Sequence, residues 1–170
     1  YQPDGIWRSP YNGDTWKLSE GEDQYRRSLY TYFKRTAPYP SMITFDGGAR
    51  EVCVIRRIRT NTPLQALTSL NDSSYIIMAR SFAKSMENVK GPIEAKIKTG
   101  YEQMMYKPIA ANKLNALTSL YQSSLSKYQS NKKAATILVS DSTIASPTNR
   151  AALVVVANAM LNLDEWLNKN

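Results

Sequence analysis

Histidine is absent from the sequence, and that absence excludes more chemistry than any motif present suggests. No Ser-His-Asp or Cys-His nucleophile, no His-ligated metal and no C-x-x-C-H haem attachment site can be built. Cysteine occurs once, at Cys53, so neither an internal disulfide nor a Cys-based zinc site is available. No metal site is expected. Within the apolar run Val52-Cys53-Val54-Ile55 the thiol is expected to be a small buried hydrophobe. Glycine (7) and proline (8) are sparse, and there is no low-complexity stretch or internal repeat. A long hydrophobic run is also missing. The longest, 151–161, is interrupted by Asn158 and falls short of the ~20 residues of a membrane helix, so no membrane span is expected.

What is present describes a single domain, 1–170, that is 42% hydrophobic and therefore able to build a core without staples. The net charge of +8, from 22 Lys and Arg against 14 Asp and Glu, favours anionic partners through long-range attraction. The cations are segregated. Eight of the ten arginines precede Thr60: Arg8, Arg26, Arg27, Arg35, Arg50, Arg56, Arg57 and Arg59. The later part relies on lysine. Arginine suits fixed, bidentate pairing and lysine suits solvated surface. The charge after Thr60 thus reads as surface, and the arginines before it as architecture or a site.

Residues 1–18 read as an irregular arm punctuated by Pro3, Gly5, Pro10 and Asn12-Gly13, with Trp7, Tyr11 and Trp16 to pin it. A first helix is expected from Ser19, whose spacing to Glu22 fits a capping box. Tyr25, Leu29, Tyr32 and Phe33 would form its apolar face, and Pro38 and Pro40 would stop it. Residues 42–45 and 52–55 read either as a short β-hairpin around Asp46-Gly47-Gly48 or as an ordered loop. Helices dominate from there on. Thr62 is placed to cap one, with Pro63 at its first position and Leu64, Leu67 and Leu70 along it. Asp72 is placed to cap a helix over 73–88. Further helices are expected over 93–106, 110–129, 134–139 and 149–167. The last is apolar nearly all round until Asp164, which suits the centre of a bundle. The expected fold class is therefore mainly α: an irregular helical bundle with long ordered N-terminal loops and, as an option, one short β-hairpin at 42–55.

Few residues offer chemistry. Ser81 with Lys84 and Ser124 with Lys127 fit S-x-x-K, and Lys98-Thr99-Gly100 fits K-T-G, but no S-D-N accompanies them and K-T-G falls in an expected helix rather than a strand. The carboxylates Glu20, Glu22, Asp23, Asp46, Glu51 and Asp72 each have a local use at a helix start or turn, and the catalytic residues stay unknown. The candidate cluster comprises Arg26, Arg27, Asp46, Arg50, Glu51, Arg56, Arg57, Arg59 and Asn61. It reads as an ion-pair network holding loop to helix or as an anion site for carboxylate, sulfate or phosphate, and the first reading is favoured because buried arginines have protein partners. Ten of the seventeen aromatic residues lie in 1–45, where they either pack loops or offer faces to sugar rings. No nucleic-acid-binding motif accompanies the arginines, so a nucleic-acid partner is not expected.

The segments Tyr1-Gln-Pro-Asp-Gly-Ile-Trp7, Gly21-Glu-Asp-Gln-Tyr-Arg-Arg-Ser-Leu-Tyr-Thr-Tyr32 and Lys34-Arg-Thr-Ala-Pro38 resemble the planctomycete cytochrome-c-associated C-terminal domain. Ser41-Met42, Thr44-Phe-Asp46, Arg50-Glu51, Cys53, Arg56-Arg57-Ile-Arg-Thr-Asn-Thr-Pro-Leu-Gln-Ala-Leu67, Asn71-Asp72 and Leu161-Asn-Leu-Asp-Glu165 are similar to it as well. The similarity is dense over 1–72, thin over 73–147, and returns at the end. It implies the C-terminal half of a domain of unknown function in large exported proteins of planctomycetes and Bacteroidota, hence a periplasmic or extracellular location. It implies haem on another domain and no cofactor in this chain. It also implies upstream domains of the same polypeptide as partners and, through gene neighbourhoods, polysaccharide breakdown; Arg56, Arg57 and Arg59 would suit an acidic polysaccharide. Gly47-Gly48 departs from the Ala-Pro often found there, which is expected to loosen the loop after Asp46. The leading expectation is a non-catalytic scaffold or interaction domain. Its alternatives are a carbohydrate-binding or carbohydrate-active domain, and non-specific polyanion or nucleic-acid binding.

Overall fold

The most apolar stretch of the sequence becomes the pivot of the helical region. The computed structural model describes residues 5, 15–34, 37–48, 53, 55–56, 59–141, 144 and 146–168. These fall into two compact units, Tyr1–Gln65 and Ala66–Asn170. The described residues form eight α-helices: α1 Pro40–Thr44, α2 Pro63–Asn71, α3 Ser73–Glu87, α4 Ile93–Met105, α5 Ala111–Ser130, α6 Lys132–Val139, α7 Pro147–Leu161 and α8 Asp164–Leu167. The protein is mainly helical, and no strand occurs among the described residues.

In the C-terminal unit α7 packs against α3, α5 and α6, while α4 packs against α3 and α5. Pro147 starts α7 at a position where a missing N–H costs nothing. Ala151, Ala152, Leu153, Val154, Val156, Ala157, Met160 and Leu161 are all buried, so the helix presents apolar surface on every side. Met86, Ile97 and Tyr101, with Met160 of α7 itself, are the largest buried side chains of this core. Burying each contributes about 1.5–3 kcal/mol. One polar residue interrupts α7. The Asn158 side-chain amide donates to the Leu70 carbonyl at 3.1 Å, and Ser69 Oγ donates to Asn162 Oδ1 at 2.7 Å, which ties the later turns of α2 to α7.

Local bonds fix the helix ends. Asp72 accepts from the Ser74 N–H at 2.8 Å at the start of α3, and Asn131 accepts from the Ala134 N–H at 3.1 Å at the start of α6. The last turn of α6 has free carbonyls, and Arg80 Nε of α3 donates to Leu138 O there at 2.5 Å. A cation at a helix C-terminus also complements the macrodipole. Gly100 sits where α4 meets α3: a Cβ at that position would lie 2.5 Å from Met86 Sδ, so any side chain there forces the buried Met86 to shift.

The N-terminal unit departs from two expectations. The helix expected from Ser19 is replaced by two short 3-10 turns, Gly21–Tyr25 and Ser28–Tyr30, separated by the extended Arg26. Gly21 has φ +62°, outside the helical region, and the first turn has no side-chain cap. Tyr25 and Leu29 of the expected apolar face are exposed, so no burial stabilises a helix that would be marginal alone. The hairpin at 42–55 is likewise not formed. Residues 42–44 belong to α1, started by Pro40 at its first turn, and Gly47 N–H turns back to Met42 O. A Cβ on Gly47 would collide with that Met42 backbone. Val52 and Val54 lie outside the described residues; Cys53 and Ile55, which are described, are not in a strand. Cys53 is exposed rather than a buried hydrophobe. Trp16 stacks on Tyr39 with ring centroids 5.7 Å apart.

Candidate functional site

The first turn of α2 and the turn after α1 meet in a hydrogen-bonded knot around one carboxylate. Asp46 Oδ2 accepts the Thr60 N–H at 2.7 Å, and Asp46 Oδ1 accepts the Thr60 hydroxyl at 2.8 Å. Gln65, only 2% exposed, sends Nε2 to Thr44 O at 2.9 Å, to Thr60 Oγ1 at 3.0 Å and to Asp46 Oδ2 at 3.3 Å. Its Oε1 accepts the Thr62 N–H at 2.9 Å, and its own N–H donates to Thr62 Oγ1 at 3.3 Å. That reciprocal pair is a capping box, Thr62-x-x-Gln65. Asp46 adopts φ +58°, a left-handed conformation that aspartate tolerates better than most residues. The Thr60 N–H and then its hydroxyl hold the Asp46 carboxyl below its ordinary range; burial opposes this, and Gln65 adds to it.

Of the candidate residues, Asp46 belongs to this knot. Arg50, Glu51 and Arg57 lie outside the described residues. Arg56, Arg59 and Asn61 are exposed. Arg26 is exposed, pairs with Asp23 at 2.5 Å and sits 5.8 Å from the Tyr30 ring centroid. Arg27, Glu20 and Glu22 are exposed. Ser19 gives its carbonyl to Gln24 Nε2 at 2.7 Å. Asp46 is thus joined to Thr60 and Gln65 by neutral donors. Gln65, Thr60 and Thr44 are absent from the sequence-derived site, although Thr62-x-x-Gln65 carried the signal. Lys98-Thr99-Gly100 and both S-x-x-K pairs lie in helices. Among the described residues no group of three or more His, Cys, Asp or Glu is placed to hold a metal. No described helix is long and apolar enough to cross a membrane.

Near the N-terminus the described chain exposes large side chains in succession. Leu18, Tyr25, Leu29, Tyr30 and Tyr32 are each more than half exposed, and Arg26 and Arg27 lie between them. Because the 3-10 turns and extended links replace a helix, no single face gathers these side chains inward.

Fold and site together define a mainly α chain with a polar clamp at the start of α2. Residues 2–121 match the model of the family described as PSD1: Protein of unknown function (DUF1553), and the chain belongs to that family. The match runs through the clamp and on through α4 into α5, beyond the dense resemblance at 1–72, and stops before α7. No curated protein and no solved structure matches the chain.

Proposed function

We propose that this chain is a non-catalytic interaction domain, that its N-terminal unit carries the docking surface, and that the partner is the upstream part of the same exported polypeptide. One observation carries the reading: the succession of exposed apolar side chains at Leu18, Tyr25, Leu29, Tyr30 and Tyr32. Leu29 is 76% exposed and Tyr30 67% exposed, and no residue of the two 3-10 turns is buried. Aromatic side chains interleaved with arginine are the composition of interface cores. Haem, in this reading, resides on another domain, and the protein works in the periplasm or outside the cell.

The test is calorimetric titration of the chain with the separately produced upstream domains. The triple variant Tyr25→Ala, Leu29→Ala, Tyr32→Ala is expected to lose at least tenfold in affinity while the helical unit melts unchanged. Equal affinity of variant and wild type contradicts the reading.

A second reading is binding of acidic polysaccharide. It is favoured by the Arg26 guanidinium over Tyr30, since a cation beside an aromatic face suits a carboxylated sugar ring. Titration with polyuronate separates the two: it should bind wild type and lose binding on Arg26→Ala. Non-specific polyanion or nucleic-acid binding has only the charge of +8 behind it, and would weaken steeply with salt.

A further inference from the structure

Tyr101 is 2% exposed, yet its hydroxyl reaches a cluster of charges and donates to Glu165 Oε1 at 2.6 Å. Lys113 Nζ donates to the same oxygen and stands 5.4 Å from the Tyr101 ring centroid. Lys107 Nζ pairs with the other oxygen, Oε2, at 2.7 Å. Three donors, from α4, the α4–α5 connection and α5, therefore converge on both oxygens of one carboxylate. Two of them are cations, so the cradle keeps surplus positive charge after Glu165 is seated. The Lys107 side chain is 51% exposed, which leaves the cradle open to solvent on that side.

The donors and the acceptor are held very differently. Tyr101 is fixed in the core beside Met86 and Ile97, and Lys113 stands on the 20-residue α5. Glu165 stands on α8, which has four residues, none of them buried. Trp166 and Leu163 pack at the edge of the core, and three backbone bonds, from Trp166, Leu167 and Asn168, close the turn. An element with so few buried contacts opens at low free energy, while the helices beneath it do not.

We propose that Lys107, Lys113 and the Tyr101 hydroxyl form a carboxylate-binding site, that Glu165 is its built-in occupant, and that a ligand bearing several carboxylates exchanges with it and lifts α8. A tethered occupant acts at an effective concentration on the order of millimolar, so one free carboxylate competes only above that level. A ligand with several carboxylates rebinds before it escapes and competes at lower concentration. Ligand binding and α8 opening are linked reciprocally: the ligand shifts α8 toward the open state by the same factor by which opening strengthens ligand binding. This site is independent of the docking surface proposed for the N-terminal unit.

Chemical rescue tests it. Glu165→Ala empties the cradle and is expected to lower Tm. With no tethered competitor left, acetate at about 50 mM is expected to restore at least half of that loss, and chloride or sulfate at equal ionic strength much less. Equal rescue by chloride or by sulfate overturns a carboxylate site. Should the variant not fold, the wild-type chain gives the answer. Citrate is expected to accelerate amide exchange at Trp166, Leu167 and Asn168 several-fold over sulfate at equal ionic strength. Unchanged exchange at these three amides overturns the proposal.

Discussion

The carboxylate of Asp46 accepts the backbone N–H of Thr60 at 2.7 Å, across fourteen residues of sequence. The bond joins the turn after α1 to the approach to α2, on either side of the stretch that carries Arg50, Arg56, Arg57 and Arg59. The same carboxylate also accepts from the Thr60 hydroxyl and from Gln65.

Replacing Asp46 with alanine removes these acceptors and leaves a Cβ residue at φ +58° with no side chain to offset the strain. The expected cost is about 2–4 kcal/mol from the lost bonds and the left-handed backbone together. Asp46→Asn keeps the conformation and is expected to cost about 1 kcal/mol. Amide exchange at Thr60 is the direct readout: it should become fast in Asp46→Ala and stay protected in Asp46→Asn.

Gln65 faces the Asp46 carboxylate and the Thr44 carbonyl with its amide nitrogen. Gln65→Glu therefore sets an acceptor against two acceptors. It is expected to destabilise by about 2–3 kcal/mol at neutral pH and to recover as the pH falls into the carboxylate range, where a proton can be shared. Denaturant melts at neutral and mildly acidic pH check this; a cost independent of pH contradicts the assigned orientation of the amide.

Ser19-x-x-Glu22 and Thr62-x-x-Gln65 are equivalent patterns in sequence, yet one starts two broken turns and the other a nine-residue helix. Tertiary anchoring of the downstream residues makes the difference. Downstream of Thr62, Ser69 reaches Asn162 and Leu70 accepts from Asn158, so α2 is held by bonds to α7 and its C-terminal end. Downstream of Ser19, Tyr25 and Leu29 remain exposed. Periodicity makes the helices α3 to α6 legible because each has a face to bury, and α7 is legible as a run that is apolar nearly all round. Met42 and its neighbours read as strand because their side chains are apolar, although Pro40 marks a helix start. Tyr101, Lys107, Lys113 and Glu165 leave no sequence signal, since they are brought together from 64 residues apart by packing alone.

Gly100→Ala sets the ~1 kcal/mol gain in helix propensity against a Cβ placed 2.6 Å from Met86 Cγ. Overpacking should prevail, for a net loss of about 1–2 kcal/mol. Adding Met86→Ala should remove the clash, so the double-mutant cycle is expected to show coupling of at least about 1 kcal/mol. Strict additivity contradicts the contact.

Burial alone would raise the Glu165 carboxyl, but hydrogen bonds from Lys107, Lys113 and Tyr101 and the Lys113 charge outweigh it and hold the carboxyl at about 2. A depressed folded-state pKa stabilises the protein above the unfolded value of 4.5, and that stability is lost as the pH falls toward 2. Wild type is therefore expected to lose about 1–2 kcal/mol more than Glu165→Gln between those limits, the figure allowing for solvent screening. Parallel acid melts of the two proteins contradict the ion cluster.

Whether residues 18–32 are a docking surface is decided by the binding isotherm of the chain with its upstream domains. Docking through these residues requires saturable binding by wild type, at least tenfold weaker binding by the Tyr25→Ala, Leu29→Ala, Tyr32→Ala variant, and the same melting of the helical unit in both. Binding that is absent in wild type, or undiminished in the variant, contradicts it.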